Sequence, residues 1–275
     1  MPSTSPKLWV VATPLGNPGD LSPRAREVLA AVDVVLAEDT RRTGLLFQKC
    51  GVTARRFISF HDHNEDGRIP ELLTMLQSGT TAALVSDAGM PLFADPGYRL
   101  VRACRDAGVH VSVVPGPSAP LTALAASGIA PLPFTFLGFP PRKASEQEKF
   151  FAPFTTVATT LVFFERKDRL AETLAVAHGV LGHRELCVAR ELTKTHEEFI
   201  YGRLECHTAI PDDLLGELTV VIGPPEEASV SPREQVLAII EEERADGGRT
   251  KDVAKRVQLR VRGWSVKDVY QLMQE

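Results

Sequence analysis

The stretch LWVVATPLGNPG, residues 8–19, is an apolar run that ends in a turn rich in proline and glycine. We predict a buried strand over Leu8–Thr13 and a turn over Pro14–Gly19, because short apolar runs bounded by such residues are typical of core strands. Ser22–Ala31 then predicts a helix, with a serine N-cap and a proline at the first helical position. Val32–Ala37 predicts the next strand. The chain thus begins as an α/β unit.

The same alternation continues to the middle of the chain. Strands are predicted over Ala82–Ser86 and Val109–Val114, on either side of a helix over Tyr98–Ala107. Alternating strands and helices indicate βαβ units and a mainly parallel sheet. Pro115–Ser118 predicts a boundary, so we expect an N-terminal α/β domain over residues 1–116.

Beyond this boundary the pattern contains more consecutive strands, which indicates a mixed α/β domain over residues 117–226. Its predicted elements are the helices Ser118–Ser127 and Asp168–Ala177 and the strands Phe134–Phe139, Thr160–Phe164, Leu186–Ala189 and Glu217–Ile222. Residues 227–275 predict a small helical unit that resembles a helix-turn-helix. A capping-box pattern at Ser231–Glu234 opens its first helix, a second fits Thr250–Val261, and a third starts at Ser265.

Composition excludes several classes of protein. The chain has 275 residues, 44% of them hydrophobic and 24% charged, with a net charge of −4, which is ordinary for a globular protein. The four cysteines form no CxxC pair, which argues against a zinc module and for a reducing compartment. Neither a signal peptide nor a membrane span is predicted. We therefore expect a cytoplasmic protein without a metal.

A basic cluster stands out at the C-terminal end of this acidic chain. The segment 249–267 contains seven basic residues and one acidic residue, Asp252. They are Arg249, Lys251, Lys255, Arg256, Arg260, Arg262 and Lys267. Such a run is either a solvated helix face or a surface for a polyanion.

Three predicted strands end in loops that fit a ligand site. The loops are Thr13–Asn17, Ser86–Pro91 and Pro115–Ser118, each rich in glycine or proline. In open α/β sheets, ligands bind beyond the carboxyl ends of strands, and glycine lets the backbone approach them closely. The GxGxxG and GxxxxGK[ST] fingerprints are missing, which disfavours a classical dinucleotide or P-loop enzyme.

Eight motifs occur in a fixed order along the chain: Val11-Ala-Thr-Pro-Leu-Gly-Asn17, Glu38-Asp-Thr-Arg41, Phe60-His-Asp-His-Asn-Glu65, Ser86-Asp-Ala-Gly-Met-Pro91, Asp95-Pro-Gly97, Val114-Pro-Gly-Pro-Ser118, Phe136-Leu-Gly-Phe139 and Arg190-Glu-Leu-Thr-Lys194. From Leu8 to Gln271 the sequence with these motifs resembles the tetrapyrrole methylase superfamily, and within it the branch that methylates small-subunit ribosomal RNA. The sequence departs from the pattern at Met90, where threonine is expected, and at the inserted pair Asp62-His63.

The resemblance implies a fold of two α/β domains with S-adenosylmethionine in the cleft between them, plus the C-terminal helical unit. Motif by motif, it places the cofactor against Leu15, Gly16, Asp87, Ala88, Gly89, Met90, Ser118, Ala119, Phe164, Ala189 and Pro224. It also implies a homodimer, and a substrate that is small-subunit ribosomal RNA or the assembled small subunit.

The reaction that the resemblance implies is methylation of the ribose 2′-hydroxyl of a decoding-centre cytidine. Because a ribose hydroxyl is a weak acid, a nearby carboxylate, imidazole or basic group can assist its loss of a proton. The candidates are Glu38, Asp39, Arg41, His61, Asn64 and Glu65.

Each candidate also has a structural interpretation. The segment Glu38–Arg41 can form an ion-pair network, His61 can be a hydrogen-bonded, partly buried histidine, and Glu65 can satisfy a loop backbone. Arg190 and Glu191 fit a structural pair that links the domains.

The basic C-terminal helices can attract the phosphates of RNA irrespective of its sequence, which the rest of an acidic protein does not do. Neutralising Arg256, Arg260 and Arg262 together is therefore expected to weaken RNA binding without changing cofactor affinity. Three alternatives stay open: a methyltransferase for a tetrapyrrole ring carbon, a non-catalytic RNA-binding assembly factor, and a dehydrogenase-like α/β enzyme.

Overall fold

The first sheet is parallel throughout, as the alternation of strands and helices predicts. The computed structural model describes residues 5–211, 213–226, 231, 233–245, 247–261 and 263–274. The sheet contains β1 (Leu8–Val11), β2 (Val34–Ala37), β3 (Phe57–Ser59), β4 (Ala82–Val85) and β5 (Val111–Val114), in the order β3-β2-β4-β1-β5. Its apolar, β-branched strands are buried because helices cover both faces.

The helices of this unit are α1 (Pro23–Ala31), α2 (Thr40–Cys50), α3 (Glu65–Gln77) and α4 (Tyr98–Asp106). Leu29 of α1 and Phe47 of α2 pack on one face of the sheet. Leu72 of α3 and Leu100 of α4 pack on the other. Two helices on each face make a doubly wound unit, so the carboxyl ends of all five strands open on one edge.

The second sheet is mixed. Its strands are β6 (Phe134–Phe136), β7 (Thr160–Arg166), β8 (Glu185–Arg190), β9 (Glu198–Arg203) and β10 (Glu217–Ile222), in the order β6-β7-β10-β8-β9. Only the pairing of β6 with β7 is parallel among these strands. The predicted strand over Phe134–Phe139 is shorter than expected, because the backbone leaves the sheet after Phe136.

The remaining helices of this second unit are α5 (Ala119–Ala126), α6 (Ala144–Phe151) and α7 (Leu170–Leu181). Helices α6 and α7 bury Phe151 and Leu174 against one face of the sheet. Helix α5 packs Ala123 and Leu124 against the other face. Helix α5 therefore lies at the start of the second unit, directly after the last loop of the first sheet.

The first loop of the chain joins the two sheets. Leu15 packs against the hydrophobic cluster that α5 forms with the second sheet. The backbone N–H of Asn17 donates to the hydroxyl of Thr193, 3.2 Å away. A Cβ added at Gly16 would lie 2.2 Å from Cγ of Lys194, so only glycine lets these two segments approach so closely.

The C-terminal helices form a separate small core. They are α8 (Arg233–Ala245), α9 (Thr250–Arg260) and α10 (Val266–Leu272). Val236, Val257 and Val269 are buried between them. Ser265 caps α10 in a capping box with Asp268. Within the residues that the structure describes, no helix has the length and apolar character that crossing a membrane requires.

Candidate functional site

A cavity of about 550 Å³ opens where the carboxyl edge of the first sheet meets the second sheet. The first sheet contributes the loops after β1, β4 and β5 to its lining. The second sheet contributes the end of β7 with the residues that follow, the start of β10, and the segments after β6 and β8. The aromatic rings of Phe93, Phe139 and Phe164 contribute to its wall. The cavity is therefore partly apolar and partly lined by polar loops, as small-molecule sites usually are.

The cavity brings together most of the residues to which the sequence assigned the cofactor. Those that line it are Leu15, Ala88, Gly89, Met90, Ser118, Ala119 and Phe164. Gly16 instead packs on Lys194, and Asp87 lies beside the cavity in an ion pair with Arg42.

The structure places Ala189 and Pro224 elsewhere. Ala189 is fully buried inside β8, opposite Thr219 of β10, and Thr219 is the residue that lines the cavity. Pro224 lies past the far end of β10. Because β10 runs antiparallel to β7, its start faces the cavity and its end points away.

Gly89 holds the first and second loops together. It exchanges backbone hydrogen bonds with Thr13, N–H to O, at 2.9 and 3.1 Å. Its φ is +78°, and a Cβ there would lie 3.0 Å from Cδ2 of Leu15. A glycine is therefore required both by the left-handed backbone and by the contact with the first loop.

Asp95 lines the cavity and has an unusual protonation equilibrium. Burial of its carboxyl group is the largest cause that raises the pKa of Asp95 to about 7. The charges of Glu38, Asp87 and Asp62 raise it further. A hydrogen bond from Ser86 opposes the shift. Sequence reasoning did not include Asp95 among the site residues, although the motif Asp95-Pro-Gly97 was a signal.

Glu38 belongs to the same group of carboxylates at the edge of the first sheet. Desolvation raises the pKa of Glu38, and the charges of Asp87 and Asp62 add to this. His61 and Arg42 counteract the shift. Neighbouring carboxylates that raise each other's pKa favour the binding of a positive charge between them.

The loop before α4 carries backbone strain. Leu92 and Ala94 have φ values of +78° and +73°, which residues other than glycine rarely adopt. They flank Phe93, and Asp95 follows directly. Strain of this kind persists where the surroundings impose it, and it is concentrated at functional sites.

Asp39 and Arg41 are placed by the start of α2. The carboxylate of Asp39 accepts hydrogen bonds from the backbone N–H groups of Arg41 and Arg42, at 2.8 and 3.2 Å. These bonds lower the pKa of Asp39 and make it the N-cap of the helix. The Arg41 side chain is exposed. Arg42, which was not among the candidates, pairs with Asp87 at 3.2 Å.

His61, Asn64 and Glu65 form the turn that leads into α3. Asn64 accepts from the backbone N–H of His61 at 2.9 Å and donates to the carbonyl of Ser59 at 3.2 Å. Its amide also lies 3.1 Å from Nε2 of His61. Glu65 is buried and accepts from the backbone N–H of Gly97 at 3.1 Å. These contacts fix loops around the cavity, and none of the three lines it.

Arg190 and Glu191 do not pair with each other. Arg190 contacts Glu198 on the neighbouring strand, with 2.6 Å between Nε and Oε2. Glu191 accepts from Lys194, whose ammonium also lies 2.9 Å from Glu217. The expected link between the domains is made instead by Lys194, through its packing on Gly16.

The basic cluster at the C-terminus divides into two sets. Arg256 and Arg260 contact the carboxylate of Glu243 at 2.7 and 2.8 Å, which ties α9 to α8. The other described members are exposed side chains without an ion pair to a described residue: Arg249, Lys251, Lys255 and Lys267. Arg262 lies outside the described residues.

A second basic feature lies at the mouth of the cavity. Arg166 ends β7, Lys167 follows it, and both are exposed residues that line the cavity. Arg166 pairs with Asp168 at 3.2 Å between exposed groups. Lys167 forms no ion pair with the residues that the structure describes. No cluster of three or more His, Cys, Asp or Glu side chains within the described ranges is arranged to hold a metal ion.

The architecture is therefore a doubly wound sheet joined to a mixed sheet, with a cleft at the strand ends between them. Residues 7–206 match the family described as Tetrapyrrole (Corrin/Porphyrin) Methylases, and the chain belongs to this family.

Among solved structures, the fold is similar to that of uroporphyrin-III C-methyl transferase from Thermus thermophilus complexed with S-adenyl homocysteine. The TM-score is 0.57 at 19% identity, over 79% of this chain and 97% of that one.

Two sequence relatives are much more similar. The chain is 45% identical over 231 residues to a protein of Mesorhizobium japonicum, covering 82% of this chain and 78% of that relative. It is 44% identical over 258 residues to a protein of Mycobacterium bovis, covering 92% and 90%. Both relatives are named ribosomal RNA small subunit methyltransferase I.

Proposed function

We propose that this protein transfers a methyl group from S-adenosylmethionine to a ribose 2′-hydroxyl of small-subunit ribosomal RNA. One observation carries the proposal: most residues that line the cavity belong to the segment 7–206 that matches the methylase family, and the start of β10 completes it. The relatives that share 45 and 44% identity over 231 and 258 residues are named ribosomal RNA small subunit methyltransferase I. A decoding-centre cytidine is the target nucleotide that we propose.

The residues around the cavity fit S-adenosylmethionine. Its positive charges suit the carboxylates of Asp87 and Glu38, which lie beside the cavity. Oδ1 of Asp87 is buried without a hydrogen-bond partner among the described residues, which favours a donor from the ligand. The apolar wall from Leu15 to Phe164 suits the adenine ring.

When bound, S-adenosylmethionine supplies a methyl group on a sulfonium, which is a good leaving group. The protein therefore acts mainly by aligning the acceptor hydroxyl with the methyl carbon. Gly89, Met90 and Ser118 hold the donor side of the cavity through rigid strand-end loops. The carboxylates at the sheet edge favour the positive charge before transfer.

The acceptor strand has to approach over the cavity mouth. Lys167 lies there and contributes positive charge, and Arg166 contributes less because it pairs with Asp168. The exposed lysines of the C-terminal unit, Lys251, Lys255 and Lys267, form a second surface for phosphates. Arg256 and Arg260 contribute less, because they neutralise Glu243 and Glu242.

A labelling experiment tests this function. The purified protein is incubated with methyl-labelled S-adenosylmethionine and, separately, with unmethylated small subunits, free small-subunit RNA, large subunits or a reduced tetrapyrrole. We expect label in the small subunit or its RNA alone. Label in the tetrapyrrole contradicts the proposal in favour of the ring-carbon enzyme. If the protein binds S-adenosylmethionine but labels none of the acceptors, the proposal is contradicted as well. If it neither binds S-adenosylmethionine nor labels an acceptor, a non-catalytic assembly factor is favoured.

A further inference from the structure

We propose that Asp95 is the catalytic residue that accepts the proton of the acceptor hydroxyl. This inference rests on the proposed function and adds to it the base that the motifs did not identify. Asp95 lines the cavity itself, in the wall where Phe93 and Ala94 also contribute. A base has to lie within hydrogen-bond reach of the hydroxyl that it deprotonates, and a side chain that lines the cavity is placed where a bound acceptor can meet it.

Among the cavity-lining carboxylates of the described chain, Asp95 is the one without a cationic partner. Glu217 pairs with Lys194 at 2.9 Å. Asp168 pairs with Arg166 at 3.2 Å. A carboxylate that is neutralised by a neighbouring cation is a weaker base, because the cation stabilises its ionised form.

The fourth cavity-lining carboxylate, Glu165, is also engaged. It accepts from the hydroxyl of Thr173 at 2.6 Å and from the backbone N–H of Arg166 at 2.8 Å. The guanidinium of Arg169 lies 3.4 Å away. With its oxygens held in this way, Glu165 acts as a structural residue of the second sheet.

The titratable groups beside the cavity are less suitable as the base than Asp95. Glu38, Asp87 and His61 do not line the cavity. Asp87 is paired with Arg42 at 3.2 Å, and Nε2 of His61 faces the amide of Asn64 at 3.1 Å. Glu38 and Asp87 act on Asp95 through their charge, since both raise its pKa.

The loop holds Asp95 in a defined place. Leu92 and Ala94, just before it, have positive φ values. After it, Gly97 has a φ of +123°, and its N–H is fixed by the buried carboxylate of Glu65. A base on an anchored loop loses little freedom when the substrate arrives, which favours a near-attack arrangement.

Methyl transfer to the hydroxyl forms one bond, breaks one bond and releases one proton. The hydroxyl oxygen forms a bond to the methyl carbon while the carbon–sulfur bond breaks, and the electron pair of that bond goes to sulfur. The hydroxyl proton passes to the carboxylate of Asp95, which releases it to solvent. A pKa of about 7 for Asp95 suits both the acceptance and the release of a proton near neutral pH.

The test compares Asp95→Asn and Asp95→Glu with Asp106→Asn, an exposed acid at the opposite end of α4. Single-turnover methyl transfer to small subunits is measured beside calorimetric binding of S-adenosylhomocysteine, whose sulfur is neutral. We expect Asp95→Asn to slow transfer by about 100-fold or more and to leave this binding within about threefold. Asp95→Glu restores part of the rate, and Asp106→Asn changes neither quantity.

A second readout needs no activity. The pKa of Asp95 in the folded, cofactor-free protein is about 7, above its ordinary value of 3.8. The folded state therefore binds this proton more tightly, and the associated stability is lost as the pH rises through about 7. The Tm of Asp95→Asn minus the Tm of wild type should therefore increase as the pH is raised from about 5 to about 8. Glu38, Asp62, Asp87, His61 and Arg42 remain in both proteins.

Three results overturn the inference, and they are distinguishable. If wild type labels small subunits and Asp95→Asn does so equally well, Asp95 is not the base and the proposed function stands. If Asp95→Asn loses binding as much as rate, Asp95 is a binding residue. If wild type labels no RNA, the proposed function fails and the role of Asp95 fails with it.

Discussion

The carboxylate of Glu65 accepts a hydrogen bond from the backbone N–H of Gly97, with 3.1 Å between Oε1 and N. Glu65 is only 6% exposed, in the first turn of α3, and Gly97 precedes α4. The bond therefore joins two helices on the same face of the first sheet and closes the loop that carries Asp95.

Removing this carboxylate is expected to destabilise the loop and the fold together. Glu65→Ala leaves the buried N–H of Gly97 without an acceptor and should cost about 1 to 3 kcal/mol in the free energy of unfolding. Glu65→Gln keeps a carbonyl acceptor and should cost less. Denaturant unfolding of both, with Glu71→Ala on the exposed side of the same helix as control, checks this. Equal losses for Gln and Ala would contradict the assigned bond.

Gly97 is expected to tolerate no side chain. A Cβ there would lie 2.4 Å from Cδ2 of Leu84 and 2.7 Å from Cδ2 of Leu92. Gly79 is a matched control, because its φ of +108° resembles the +123° of Gly97 and a Cβ would meet nothing within 4 Å. Gly97→Ala should therefore cost about 1 to 3 kcal/mol more than Gly79→Ala, through overpacking. Denaturant unfolding of the two variants measures both free energies of unfolding. Equal losses of stability for Gly97→Ala and Gly79→Ala would rule out the packing explanation.

Gly89→Ala should act on the cofactor more than on the fold. The new methyl group would press on Leu15, 3.0 Å away, and shift the two loops that line the cavity. We expect the Kd for S-adenosylmethionine to rise about tenfold or more, equivalent to about 1.4 kcal/mol. Gly128→Ala, with a φ of +70° and open space around it, serves as control in the same calorimetric titration. An unchanged Kd for Gly89→Ala would place the cofactor elsewhere.

The two sets of basic residues in the C-terminal unit should separate experimentally. Alanine at Arg256 and Arg260 leaves the buried carboxylate of Glu243 without a cationic partner, so it should lower the melting temperature of this unit. Alanine at Lys251 and Lys255 should leave stability unchanged and reduce the salt dependence of RNA binding, by about 0.7 to 0.9 in the log–log slope for each lost phosphate contact.

This expectation revises the one drawn from charge pattern alone, in which all seven basic residues, Arg256 and Arg260 included, contact RNA. Filter binding of small-subunit RNA across a salt series, beside thermal melts of both double variants, tells them apart. Arginine variants that melt like wild type and bind RNA less tightly would restore the original expectation.

The first sheet was predictable because its strands are continuous apolar runs that end in glycine and proline. Helix α3 was not assigned from sequence, since Gly67 and Pro70 interrupt its pattern and local propensity argues against a helix. Packing of Leu72 and Leu76 on the sheet outweighs that propensity. Strand β3 has only three residues, which is too short for a periodic signal.

The site was partly predictable for the same reason. In a parallel sheet all strand ends meet at one edge, so the sequence pattern alone places the loops of Leu15, Gly89 and Ser118 side by side. Asp95 lies farther along a loop whose conformation depends on positive φ at Leu92 and Ala94, and no local rule assigns such values to those residues. Likewise, a charge pattern alone does not predict that Arg256 forms an ion pair with Glu243.

The central claim is that the methyl group is placed on a ribose oxygen of small-subunit RNA, and alkaline digestion of the labelled RNA tests it most directly. A free 2′-hydroxyl is the nucleophile that cleaves the neighbouring phosphodiester in base, so a 2′-O-methylated nucleotide resists cleavage. We predict that the label is recovered in one alkali-resistant dinucleotide, from the decoding region. Label recovered in mononucleotides would show methylation of a base and would contradict the account.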